Sequence, residues 1–193
     1  MPTRATFKHF SLCFCAAALF AGCATTQPPP AEPAKSAAPA TPLAAPVTWE
    51  PPFWDNAMRE AQKAREHGDR QTAERACARG ILYVQAQTIK TLYSYAELLD
   101  RQNYGSGLTV RSRAQKLEQA RDEQAATGKS GNTYLGFDPG AELKAYADLL
   151  TSLRRNSDAL VIEALSAAYL YAQEANLRRT LLQREGKDPL GEC

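Results

Sequence analysis

Histidine is scarce in this 193-residue chain: there are two, His9 and His67. A zinc site needs three or four closely placed His, Cys or carboxylate ligands. No such grouping of His and Cys occurs, so no metal is expected. Charge of one sign is not in excess either, with 23 Lys+Arg against 21 Asp+Glu and a formal net charge of +2. Phosphate neutralisation requires a clustered surplus of basic residues, which argues against a nucleic-acid partner. No stretch reaches the roughly 20 apolar residues of a membrane-spanning helix. No run alternates with a period of two over strand length, so no sheet is expected.

What is present begins with a leader. Arg4 and Lys8 form a short basic stretch, an apolar run of about eleven residues extends from Phe10 to Phe20, and the small residues Ala21 and Gly22 follow. That is the three-part pattern of an export signal, residues 1–22. Cys23 comes next, giving Leu19-Phe20-Ala21-Gly22-Cys23. The segment resembles the lipobox of bacterial lipoproteins, although Leu19 stands one position farther from the cysteine than is usual. The resemblance implies cleavage before Cys23 and a diacylglyceryl group on its thiol. Acyl chains there would anchor the protein to a membrane without a spanning helix. Ala24, rather than an aspartate, implies by the same resemblance the periplasmic face of the outer membrane. Loss of Arg4 and Lys8 would bring the basic side chains down to 21, equal to the acids. It would also leave Cys77 and Cys193 as the thiols free to pair in an oxidising envelope, so a disulfide between them is a candidate.

Residues 23–52 read as a lipidated N-terminus and a tether. From Gln27 to Pro52 the chain carries nine of its twelve prolines and seven alanines, with Glu32, Lys35 and Glu50 as the charges. Proline at this density cannot continue a helical hydrogen-bond ladder, which predicts a disordered or polyproline-II linker. Fully extended, it would reach about 80 Å.

From residue 53 to 188 the pattern is helical. Ala57, Met58, Ala61 and Ala64 share one face, as do Ala73, Ala76, Cys77, Gly80, Ile81 and Val84. Gly68-Asp69 ends the first run and caps the second. Further helices are expected over Ile89–Leu99, over Leu108–Thr127, after the cap Asp138-Pro139, and over Leu160–Arg184, with Asn156-Ser157-Asp158 as a break. The last helix is apolar around much of its circumference and is expected to be central. Six helices in antiparallel hairpins make an all-α fold, followed by a polar tail at 189–193. Phe53 and Trp54, with Trp49, are expected to staple the linker to the domain. Tyr93, Tyr95, Tyr146, Tyr169 and Tyr171 are expected to be packing residues.

Residues 54–87 resemble a tetratricopeptide repeat, with Ala61, Ala73 and Gly80 on its small positions and Gly68-Asp69 at its turn. Ala57, Ala64, Cys77 and Gln85 depart from the pattern. A second unit around Tyr95-Ala96-Glu97-Leu98-Leu99, with a turn at Asn103, fits with a one-residue shift. An irregular helical bundle is the alternative architecture.

No catalytic constellation emerges. His67 sits at a helix C-terminus, where a cation suits the dipole. Thr127-Gly128-Lys129-Ser130 has the tail of a phosphate loop, but Glu123 stands where the loop needs glycine, and a helix precedes it. Lytic transglycosylases, an enzyme class at home in the envelope, place Ser after a catalytic Glu, and no Glu-Ser pair occurs. The expectation is therefore a protein without enzymatic activity, cofactor or metal. Similar lipoproteins imply an adaptor for a protein partner in envelope or secretion-system assembly. The alternative is a structural or regulatory module reaching through peptidoglycan to a cell-wall synthase.

Overall fold

A computed structural model describes residues 49–128 and 135–187, all within one compact unit. The leader, Cys23, the tether up to residue 48, and the tail with Cys193 lie outside these residues. Among the described residues there are five helices and no strand: α1 (Pro51–Glu66), α2 (Arg70–Arg101), α3 (Gly107–Thr127), α4 (Pro139–Ser152) and α5 (Asn156–Arg184). The all-α expectation holds.

The helix starts follow local chemistry. The sequence places Pro51 and Pro52 at the end of the tether, yet they form the first turn of α1. Proline is tolerated there because the first backbone N–H groups of a helix have no partner in any case. Asp69 caps α2, its carboxylate accepting from the Thr72 N–H at 3.1 Å. Asp138 caps α4 by accepting from the Gly140 N–H at 2.8 Å, with Pro139 as the first helical residue. The α1–α2 turn places Gly68 at φ +74°, a conformation glycine adopts without strain. His67 is the C-cap of α1, and its Nδ1 donates to the Lys63 carbonyl at 2.7 Å.

Two sequence expectations are corrected. The break expected near residues 85–88 does not exist, and α2 runs for 32 residues through it. Gln85-Ala86-Gln87 contains neither glycine nor proline to stop a helix, and Thr88 and Thr91 are fully buried against the rest of the domain. Thr91 returns its hydroxyl to the Gln87 carbonyl at 2.8 Å. The break expected at Asn156-Ser157-Asp158 falls just ahead of it, at Leu153–Arg155, and these three residues form the first turn of α5, where Asp158 pairs with Arg155 and suits the positive end of the helix.

The central helix is α2 rather than α5. Its first half packs on α1 and its second half on α3, while α4 and α5 form a hairpin laid against it. One hydrophobic core links all the layers, with Ile81, Val84, Leu92, Leu117, Leu143, Leu150 and Leu165 inside it. The rings of Tyr95 on α2 and Tyr146 on α4 stack at 4.9 Å. Tyr169 is also buried, but Tyr171 is 70% exposed, against the packing role expected for it.

The linker is stapled as expected. Trp49 stacks on Tyr83 at 5.7 Å, Phe53 lies 4.1 Å from the same ring, and the Glu50 N–H donates to the Tyr83 hydroxyl at 3.3 Å. Trp54 and Met58 close over Gly80, where an added Cβ would come within 2.5 Å of Met58 Cε. A small residue at position 80 is what allows α1 and α2 to approach this closely.

Candidate interaction groove

Both α3 and α5 rest on α2, but they leave a trough between them. Ile81 of α2 and Leu117 of α3 form its floor, and both are buried. Its α5 wall carries Leu170, Leu177 and Leu181, which are 52%, 54% and 47% exposed. Leu135, shortly before α4, also lines it. The trough is open to solvent along its length and has a volume of about 530 Å³, within the range of sites that take a ligand or an anchor side chain.

An amide ladder crosses the trough. Gln85 of α2 donates from Nε2 to Gln124 Oε1 of α3 at 3.1 Å, and Gln124 Nε2 donates to Asn176 Oδ1 of α5 at 3.3 Å. Each amide that donates onward fixes the orientation of the next, so the ladder ties three helices at one level. Gln85 Oε1 is buried and has no hydrogen-bond partner. Glu174 and Arg184 stand on the α5 wall, and Glu174 pairs with Arg178 one turn on. The surface is thus an apolar strip with amides beneath it and charges along its edge, an arrangement that suits a helix with one apolar face.

Below the groove lies a second unusual grouping. Cys77 is fully buried on α2 and is disulfide-bonded. Arg179 of α5 reaches it, with Nη1 3.4 Å from the Cys77 sulfur. Burial pushes the Arg179 guanidinium below its ordinary value, with Glu74 opposing that shift, and its Nε is buried without a hydrogen-bond partner.

Of the residues singled out in the sequence, Cys77 is placed at this second grouping, while Cys23 and Cys193 lie outside the described residues. Lys129 and Ser130 also lie outside them. Among the described residues no group of three His, Cys, Asp or Glu could hold a metal ion, and no helix is long and apolar enough to cross a membrane. Sequence reasoning missed the groove leucines and Arg179. Their signal was the spacing 170, 177, 181, which keeps one face of α5 apolar on the side away from its buried Leu165, Tyr169 and Ala172.

No protein-family model, curated protein or solved structure matches the chain.

Proposed function

We propose that this protein is a lipid-anchored, non-enzymatic adaptor on the periplasmic face of the outer membrane, which presents its helical domain to a protein of an envelope or secretion assembly. The anchor is the acylated Cys23 of the lipobox-like segment, and the surface presented is the α3–α5 groove. One observation carries the reading: Leu170, Leu177 and Leu181 stand half-exposed in a row over an apolar floor. Isolated exposed leucines are ordinary on a protein surface, but a row of them beside a groove marks an interaction site. A partner helix would bury these leucines and place polar groups against the Gln85–Gln124–Asn176 ladder and the charged edge.

The test is in-cell crosslinking and capture of the tagged full chain, with Cys23→Ser and Leu177→Asp/Leu181→Asp as comparisons and partners identified by mass spectrometry. The expected result is one envelope assembly recovered by the unaltered chain and lost in both variants. Recovery of no specific partner by the unaltered chain would sink the adaptor reading. Capture of a cell-wall synthase that depends on tether length would favour the module that reaches through peptidoglycan.

A further inference from the structure

The N-terminal half of α5 is apolar on nearly every side. From Ala159 to Ala172 the only residues that are not aliphatic or aromatic are Glu163 and Ser166, and the Ser166 hydroxyl donates to the Gly140 carbonyl of α4 at 3.3 Å. Ile162, Leu165, Ala168, Tyr169 and Ala172 turn inward and are buried. The opposite side is uncovered: Leu160 is 65% exposed and Tyr171 70%, and Ala164 and Ala167 between them are exposed as well. At about 100° per residue these four fall within about 60° of arc. Their spacing of four, three and four is that of the seam of a two-stranded coiled coil. A helix that is apolar all round belongs inside an assembly rather than at its surface. The neighbouring helices meet solvent differently, with ion pairs such as Arg121–Asp122 on α3 and Lys144–Asp148 on α4.

The stripe is complementary to itself. When two copies of α5 run antiparallel about a two-fold axis between Ala164 and Ala167, Ala164 of each faces Ala167 of the other, and Leu160 faces Tyr171. Small residues at the centre let the helix axes approach to about 8 Å, and the large residues close both ends. Charge selects the same direction. Glu174 and Arg178, which pair with each other, continue the stripe beyond Tyr171. In the antiparallel register Glu174 comes opposite Ser157, in the first turn of the second α5, and Arg178 comes opposite Leu153, the C-cap of the second α4. An acid at a helix N-terminus and a base at a helix C-terminus both suit the dipoles. A parallel pair would instead set Glu174 on Glu174 and Arg178 on Arg178. Seam and charged ends together cover roughly 500 Å² on each copy, and about 1,000 Å² in all is the lower bound of a specific interface. A weak dimer, forming at micromolar concentrations, is what this area supports.

We propose that the outward stripe of α5 is the contact between two copies of this chain, packed antiparallel with Ala164 against Ala167 and Leu160 against Tyr171. The contact does not depend on the adaptor reading. Leu177 and Leu181 of the groove stand about a quarter-turn round the helix from the seam, so the groove of each copy stays open in the dimer. Two grooves related by one axis would let the pair hold a partner at two points, and binding at the second would then be intramolecular.

The experiment measures the mass of the purified full chain by sedimentation across the micromolar range. The expected result is a monomer–dimer equilibrium. Ala167→Arg places an unpaired charge at the centre of the seam and should raise the dissociation constant roughly thirtyfold or more. Leu108→Ser, at a leucine 73% exposed on α3, should leave it unchanged. A parent that stays monomeric throughout, or equal constants in the parent and Ala167→Arg, would overturn the contact. A monomeric parent that binds phosphatidylethanolamine–phosphatidylglycerol vesicles, and loses that binding in Ala167→Arg, would assign the stripe to a lipid surface instead. Direction is read by mixing copies carrying Leu160→Cys with copies carrying Tyr171→Cys and adding a short bismaleimide, with the unaltered chain as background. Links from position 160 to position 171 are expected, because like positions stand about 16 Å apart along the seam. Links of 160 to 160 and 171 to 171 would overturn the antiparallel register. Failure to capture an envelope partner would sink the adaptor reading and leave all these readouts standing.

Discussion

Gly107, the first residue of α3, lies so close to Asp100 near the end of α2 that a Cβ added to it would come within 1.9 Å of Asp100 Oδ1 and 2.6 Å of the Ala96 carbonyl oxygen. The carboxylate can swing aside, although it is held at 2.8 Å by Arg111, but the carbonyl belongs to a buried helix. Gly107→Ala should therefore push α3 away from α2 and cost about 2 kcal/mol, the usual scale of overpacking. Chemical denaturation checks this; a variant as stable as the parent would show that the α2–α3 corner opens freely.

The Asp69 cap makes stability depend on pH in a defined direction. Hydrogen bonds with Thr72 hold the Asp69 carboxyl below its ordinary value of 3.8. The folded state thus binds the proton less readily than the unfolded one, and stability rises with pH through that region. The contribution is complete above about pH 4 and is lost as the pH falls through the lowered folded value. Thermal melts of the parent and Asp69→Ala should differ at pH 7 and converge as the solution is acidified below 3.8. A difference that stayed constant would show that the cap does not depend on ionisation.

At the alkaline end the sign reverses. Burial raises the phenol of Tyr169 far above its ordinary value of 10.0, and Tyr95 and Tyr146 are raised by the same cause. Above pH 10 the unfolded chain releases these protons while the folded chain keeps them, so stability falls as the pH rises. Phenolate absorbance should show these three tyrosines ionising together with unfolding. Tyr169→Phe should flatten the decline.

Leucines of the core and of the groove should behave differently. Leu165 is fully buried, and Leu165→Ala should cost about 3 kcal/mol through lost burial and the cavity left behind. Leu177→Ser, at a half-exposed site, should change stability by no more than about 0.5 kcal/mol. Denaturant midpoints of the two variants check this; a large loss at Leu177 would make it a packing residue rather than a contact.

The punctuation of the fold was legible because it is local. Gly68-Asp69 and Asp138-Pro139 each place a helix boundary with the chemistry of two adjacent residues. The continuity of α2 was less so, because Gln85-Ala86-Gln87-Thr88 looks polar enough for a turn, and what keeps it helical is the burial of Thr88 and Thr91 among residues distant in sequence. The apolar girth of α5 suggested a central helix for a similar reason. Leu165 and Leu177 are identical as letters, and their difference arises from α4 and α2 covering one side of the helix while the other faces the trough. A groove is made by the helices that are absent from one side, and hydrophobic periodicity records only which residues are apolar.

Tyr83 is in ring contact with both Trp49 and Phe53, and it stands on α2 between Ile81, on the groove floor, and Gln85, which also lines the groove. A tension applied to the chain ahead of Trp49 would consequently be borne first at mid-length of the central helix, by aromatic contacts sheared across its axis. The domain's mechanical mooring and its candidate docking floor then occupy a single turn of α2, so load at one would be felt at the other without passing through the rest of the core.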